Sequence, residues 1–439
     1  MSNFSSIPAE IIELIVSFVP KTSLRALSLT SPHFTEPCQR RLFSALKLEA
    51  RLAANQRDGV WASYRGALAH LSAHPRLATY ITHLKVYLRK PWKPYPWSDA
   101  GEGDLAALES VFDLLERLEV SVHRLKIRGP SRTEDWEDWM LTAVRRMIAH
   151  TLRNPTGTGR HLSMKAIDNI PIHDVYRALW ACHSLALQDL YVSEPGQHPP
   201  LEAPAVNEQL IGGPALRKLK IFGTNYLYDV LLQPGLRRYT NSITTLSIDG
   251  FGPPYGDQVA LGLELAALCS TTLEDLTVIF NSWRMNEHNT LQHCLPNLRK
   301  LTLLSKHQQL ITIPHWTLHH ALASLLHDRR RTHLPALTNL LILVGITLDD
   351  RIEPPLAPYY VLSPQFAELD AVLLPYCTST ATVEFGVQHH LFYEPETPDE
   401  RKLDLEAHYA AFSDAVCGAL ARAFAVGLKL VPWDDTYER

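Results

Sequence analysis

The sequence predicts an α/β chain: a small all-helical N-terminal module leads into an irregular solenoid, a horseshoe of strand–helix repeats, closed by a C-terminal capping helix. Three observations predict it. Three short, strongly apolar helical segments fill the first 48 residues, a short alternating string recurs along the middle of the chain, and one long helical pattern begins near residue 397. At 439 residues the chain exceeds one ordinary core, so length alone leaves two or three domains or a repeat array open. Apolar residues make up 46% and charged residues 20%, a globular composition that excludes a disordered chain.

The N-terminal module comes first. Ser6 suits an N-cap, Pro8 suits the first turn where its missing N–H is harmless, and Glu10 faces the positive end of the helix dipole. Ile7, Ile11, Ile15 and Val19 recur every four residues, flanked by Ile12, Val16 and Phe18, and Pro20 closes the segment. A second helix is expected from Leu24 to Thr30 and a third from about Phe34 to Leu46. Helices this short cannot bury so much apolar surface among themselves. The excess is either covered by the rest of the chain or kept for a partner.

The order and spacing of these residues resemble an F-box. The string runs Ile7-Pro8-x-Glu10-Ile11-Ile12-x-x-Ile15-Val16-x-Phe18-Val19-Pro20, continues as Leu24-x-Ala26-Leu27-Ser28-Leu29-Thr30-Ser31-x-x-Phe34, and ends Arg40-Arg41-Leu42-Phe43. Ile7 stands for the family's leading Leu, Val19 for its second Leu, and Pro32 lies near its Arg. The resemblance covers residues 4 to about 48. It implies docking on a Skp-type adaptor and, through it, on a cullin–RING ubiquitin ligase. Carried over by position, Pro8, Ile11, Ile12, Ile15, Val19, Leu24, Leu27 and Phe34 would be the docking residues.

Downstream, an aliphatic-x-x-Leu-x-aliphatic string recurs at Ile81–Val86, Val122–Ile127, Leu187–Val192, Leu216–Ile221, Ile243–Ile248, Leu273–Val278, Leu298–Leu303 and Leu337–Ile342, with a weaker copy at Leu162–Met164. Its period-two alternation predicts short strands. The central leucines at 190, 219, 246, 276 and 301 are 29, 27, 30 and 25 residues apart. Helical patterns fill the gaps, from Asp104 to Glu119, Asp257 to Cys269 and Trp316 to His327. One strand plus one helix at a period near 28 is the arithmetic of leucine-rich repeats, with an ordinary alternating α/β domain as the other reading. That family's turn asparagine has a counterpart only at Asn281, so an irregular array is expected. The whole chain resembles the fungal-type F-box proteins with degenerate leucine-rich repeats.

The ends of an array need covers. Thr397-Pro398-Asp399-Glu400 spells a capping box, and Leu405, Tyr409, Phe412, Val416, Leu420 and Phe424 follow at helical spacing up to Gly427. A linker helix is expected around Trp61 to Leu71. The expected domains are therefore 1–48 for the F-box module, 49–80 for the linker helix, 81–395 for the repeats, and 396–439 for the capping helix and tail.

Composition also bounds the chemistry. The chain has 42 basic and 46 acidic side chains, a formal charge of −4, which offers no field for nucleic acid or anionic lipid. No apolar run has the length and purity of a membrane span. Six cysteines without a C-x-x-C pair read as reduced core thiols, so a cytoplasmic or nuclear location is expected. His315 and His319 lack a third ligand, no catalytic or phosphate-binding motif is present, and neither a cofactor, a metal nor enzymatic activity is expected. The segment Arg89–Trp97 alternates prolines with Trp92, Tyr95 and Trp97. Those rings either pack over the first repeats or form a candidate target-binding loop. The functional expectation is a non-catalytic substrate receptor of a Skp–cullin–F-box ligase; the alternative is a binding scaffold unconnected with ubiquitin.

Overall fold

Alternation of aliphatic and polar residues puts one side of each string in a core and leaves the other side polar, which is what a sheet covered on one face requires. A computed structural model describes residues 7–49, 61–88, 100–130, 138–152, 160–192, 216–224, 227–250, 258–281, 294–309, 326, 334–348, 366–378, 381–391 and 398–432. The chain divides into two compact units, Met1–Leu216 and Arg217–Arg439.

The first unit opens with three helices, α1 (Ala9–Phe18), α2 (Lys21–Ser28) and α3 (Pro32–Phe43). Its strands are β1 (Ala45–Glu49), β2 (Trp61–Ser63), β3 (His83–Tyr87), β4 (Arg124–Arg128), β5 (His161–Ile170) and β6 (Ser184–Val192). They pair in parallel in the order β2-β1-β3-β4-β5-β6. The helices α4 (Tyr64–Ala73), α6 (Ala100–Arg117), α7 (Asp138–Leu152) and α8 (Ile172–Ala181) pack in succession, α4 on α6, α6 on α7 and α7 on α8. The short α5 (Pro75–Ala78) follows α4 and touches α3.

Register locks the leucines into rows. Leu46 lies beside Leu84, Leu84 beside Leu125, Leu125 beside Leu162 and Leu162 beside Leu185, all buried. The weak string at Leu162–Met164 is thus a full member of the array. In β6 the equivalent positions are Leu185 and Leu187, while Leu190 aligns with Ile167 beyond the regular rows. The expected register at Leu190 is therefore displaced. The ladder shifts between Ile167 and Ile170, and Ala166, Asn169 and Asp189 take positive φ values of 54°, 53° and 52°.

The second unit repeats the scheme. β7 (Lys218–Phe222), β8 (Thr245–Gly250), β9 (Asp275–Asn281), β10 (Lys300–Gln309), β11 (Asn339–Leu348), β12 (Thr382–Leu391) and β13 (Lys429–Pro432) are parallel and pair in chain order. Leu219, Leu246, Leu276, Leu301, Leu340 and Val383 share one buried row. α9 (Leu227–Leu231) and α11 (Gln258–Leu268) pack together, α11 also lies against β8, and α10 (Arg237–Thr240) joins them.

Most strands are entered through the same backbone contact. The carbonyl just ahead of one strand accepts from the two N–H groups that open the next. Ser44 accepts from Thr82 and His83 at 3.0 and 2.9 Å, Arg160 from His183 and Ser184 at 2.9 and 3.0 Å, Arg217 from Thr244 and Thr245 at 2.8 and 3.0 Å, and Glu274 from Arg299 and Lys300 at 2.9 and 3.0 Å. Shared acceptors like these leave no buried donor unpaired where the chain enters the sheet. In the second unit a buried side chain adds to the scheme, with Gln258 Nε2 donating to the Thr224 carbonyl at 2.9 Å. Thr224 follows β7 and Gln258 opens α11, the helix after β8, so the next strand–helix pair serves that turn.

Two boundaries differ from expectation. The sheet already begins at β1 and β2, inside the region assigned to the N-terminal module and linker, because Leu46 and Leu48 belong to the same buried rows as the later leucines. At the other end the helical pattern divides into Pro398–Ala419 and Ala421–Ala425 at Leu420, whose φ of −108° and ψ of 33° leave the helical region. Phe412, Val416 and Leu420 are buried as the spacing predicts, but Gly427 at φ +126° turns the chain into a further strand, β13, in place of a free tail. The pattern at Trp316–His327 lies almost wholly outside the described residues.

Packing between helix and sheet is tight at Gly262 of α11. A Cβ there would lie 2.7 Å from Ile248 Cδ1 and 3.1 Å from its Cβ. Gly262→Ala is expected to destabilise the second unit by about 1–3 kcal/mol, read as a lower urea midpoint with unchanged slope. Ile248→Ala in the same background should recover part of that loss.

The cysteine expectation holds for Cys38, Cys182, Cys269 and Cys377, which are buried, and fails for Cys294 and Cys417, which are exposed. Burial pushes the Cys182 and Cys269 thiols up to about 12 and Cys377 up to about 11. A thiol titration at pH 8 should find two fast-reacting groups in the folded protein and six after denaturation.

Candidate functional site

The three N-terminal helices form a small core of their own. Ile12 and Val16 from α1, Leu24 from α2, and Phe34 and Cys38 from α3 are buried together, with Ile7, Val19, Leu27 and Leu42 around them. Local chemistry sets each boundary. Pro8 is the N-cap of α1, and its carbonyl accepts from the Ile11 and Ile12 N–H groups at 3.1 and 3.2 Å. The expected cap at Ser6 lies outside the described residues. Pro32, the departure from the F-box pattern, occupies the first turn of α3 behind the Ser31 cap, a position that needs no N–H donor. Arg41 of α3 donates to the carbonyls of Val16 and Val19, where α1 ends and its carbonyls lack helical partners. Arg40 pairs with Glu13 at 2.7 Å, and Arg76 pairs with Glu36 at 2.9 Å.

α3 also touches α5 and β1, so the module is attached to the first strands of its own unit. What remains uncovered is a second apolar face of α1. Ile11, Leu14, Ile15 and Phe18 fall at i, i+3, i+4 and i+7, and Phe18 is 79% exposed. Leu29, at the end of α2, is 82% exposed. The exposed large apolar side chains among the described residues otherwise comprise only Tyr191 and Val426. Isolated exposed leucines are ordinary, whereas four on one turn-to-turn stripe mark a contact surface. Covering that stripe, roughly half of whose area is already buried, would contribute on the order of 3–6 kcal/mol before association costs.

The expected docking residues therefore divide. Ile11, Ile15 and Pro8 are exposed, and Val19 and Leu27 are half-buried at the rim. Ile12, Leu24 and Phe34 are corrected: they belong to the module's own core and cannot meet a partner while it is folded. Leu14, Phe18 and Leu29, exposed and apolar, lie outside the expected set. Their signal was present in the all-round apolar character of α1, but the four-residue spacing fits two phases, and only the positions of α2 and α3 decide which phase turns inward. Trp92, Tyr95 and Trp97 lie outside the described residues.

Among the described residues no group of three or more His, Cys, Asp or Glu side chains could hold a metal ion, and no helix is long and apolar enough to cross a membrane. No family model matches the chain, and no curated protein matches it either.

The module's core and its outward stripe make opposite predictions. Leu24→Ala should destabilise the module by about 2–5 kcal/mol, lowering the unfolding midpoint. Phe18→Asp should shift it by no more than about 0.5 kcal/mol, because that side chain leaves no packing behind.

Proposed function

We propose that this chain is the substrate-receptor subunit of a Skp–cullin–F-box E3 ubiquitin ligase, in which the N-terminal module is an F-box and the strand–helix repeats form an irregular leucine-rich-repeat solenoid that holds a target protein. The observation that carries the reading is the outward stripe Ile11, Leu14, Ile15 and Phe18 on a three-helix module whose sequence resembles an F-box. Parallel strands paired in strict chain order within the second unit support the repeat reading, whereas the first unit's order reverses once, between β1 and β3. Doubly wound sheets reverse their strand order at a switch point, and solenoids do not.

The function needs no catalytic group in this chain. Its work is positioning, because a target held near a charged ubiquitin carrier reacts as if concentrated. The attachment of α3 to β1 and α5 couples the docking module to the repeats of the first unit without a described flexible joint. The adaptor would meet the α1 stripe, with Leu29 as a second contact. Ile12, Val16, Leu24, Phe34 and Cys38 would hold the stripe in place from behind.

Co-purification with a Skp-type adaptor and a cullin tests this. The wild-type chain should retain both, and Ile15→Asp/Phe18→Asp should lose adaptor binding at least a hundredfold while keeping the wild-type Tm. Retained binding by that variant would sink the docking assignment. Adaptor binding that never brings a cullin would favour a scaffold outside ubiquitin transfer.

A further inference from the structure

The sheet of the first unit has one face turned toward its helices and one turned away, and the second face carries a concentrated positive charge. The pleat places Lys47, Lys85 and Lys126 at directly paired positions on β1, β3 and β4, on the side opposite the buried leucines. One register step to either side on the same face come Arg124, paired with His83 and His161, and Arg128, paired with Tyr87 and Lys165. Adjacent strands lie about 4.8 Å apart, so the lysine row sets three ammonium groups within about 10 Å.

Like charges directly opposite one another on a sheet are destabilising, which makes such a row unusual as a mere solvated surface. Among the described residues two carboxylates pair with these cations. Glu49 pairs with Lys47 at 2.9 Å, and Asp189 faces Lys165 at 3.7 Å. The local balance of six cations, Lys47, Lys85, Arg124, Lys126, Arg128 and Lys165, against those two is 6 − 2 = +4, on a chain whose total is −4. Lys85, Arg124, Lys126 and Arg128 are exposed, and among the described residues no carboxylate pairs with Lys85, Arg124 or Lys126. Tyr87 organises part of the field, with the Lys47 Nζ 4.4 Å and the Arg128 guanidinium 6.0 Å from its ring centre. Burial first, and then Arg124, hold the His83 imidazole below its usual range, so this histidine adds no charge at neutral pH. The corresponding row of the second unit reads Lys220, Ser247, Thr277, Thr302, Leu341 and Glu384, with no comparable run.

We propose that this face, centred on Lys85, Arg124 and Lys126, is the docking surface for an extended, Asp/Glu-rich polypeptide segment of the target. The inference rests on the receptor reading in that it names the class of target that the repeats hold. Charge complementarity supplies the argument, since three unpaired cations on one face await carboxylates. The patch across β1, β3, β4 and β5 is about 15–20 Å wide, a span that about five or six extended residues fill. A nucleic acid fits less well. The net negative charge of the whole chain opposes a polyanion at long range, and phosphate-driven binding depends on more neutralised charges than the patch offers.

The test uses the full chain co-expressed with its adaptor. Fluorescence anisotropy would compare a labelled twelve-residue Asp/Glu-rich peptide with a Ser/Gly peptide and a single-stranded oligonucleotide of equal length, at 50 mM salt. The acidic peptide should bind at least tenfold tighter than either competitor. Lys85→Glu/Lys126→Glu should weaken it at least tenfold, with Lys85→Gln/Lys126→Gln intermediate and circular dichroism unchanged in at least one of the two. Equal binding of the Ser/Gly peptide, tighter binding of the oligonucleotide, or an unaffected folded variant would overturn the proposal. Adaptor co-purification is scored on the same samples. Its loss in the wild type would count against the receptor reading alone, while its retention alongside lost peptide binding isolates the basic face.

Discussion

A backbone carbonyl ahead of one strand, accepting from the N–H groups that open the next, is the contact on which the architecture depends. From Ser44 to Thr338 it recurs with little variation although the residues supplying it differ, as Ser, Thr, His, Arg and Glu all do so. The bond fixes register, and register puts leucine beside leucine. Once the rows Leu46-Leu84-Leu125-Leu162-Leu185 and Leu219-Leu246-Leu276-Leu301-Leu340 are aligned, burial of one face follows, because a one-residue slip would send every leucine to the other side. Helices then pack on that face, and many of the residues between the leucines are left to solvent or to a partner.

That division explains where the exposed apolar stripe and the basic face lie. Positions inside the rows admit little besides Leu, Ile, Val, Met or Phe, whereas the alternate positions vary: in the second unit Ile279, Leu304, Leu341 and Leu343 pack there into a smaller core of their own. In the first unit they hold Lys85, Arg124 and Lys126 without penalty to the core. α1 obeys the same logic on a smaller scale. Its inward residues complete the core with Leu24, Phe34 and Cys38, while its outward stripe could be lost without loosening the module. A receptor requires both kinds of surface, one to join an assembly and one to hold a target, on a body stiff enough to relate them.

Much of the fold was legible in the residues. The eight aliphatic-x-x-Leu-x-aliphatic strings each fall within or beside a strand, since alternation of burial writes itself directly into a strand. The exceptions are instructive. β1 carries the same alternation in Leu46-Lys47-Leu48 but without the leading aliphatic of the string, and β13 has only four residues, Lys429–Pro432, added at the edge of β12. The register of β6 moved because a bulged ladder in β5 absorbs extra residues through positive-φ positions at Ala166 and Asn169, where no glycine marks the turn. At the candidate docking site the sequence disclosed that α1 had more apolar surface than one core could use. It did not disclose which part was surplus.

The sequence by itself determined the classes of element: an apolar helical module, a run of short parallel strands spaced by helices, and a helix near the end. It did so because burial periodicity is local and survives in the order of residues. Only the tertiary structure decided that Ile12, Leu24 and Phe34 face inward while Leu14, Phe18 and Leu29 face out. It alone brought Lys47, Lys85 and Lys126, separated by 38 and 41 residues, into one row. Both outcomes depend on which strands and helices become neighbours, and that is settled by packing and shared backbone hydrogen bonds between segments too distant in the chain to inform one another.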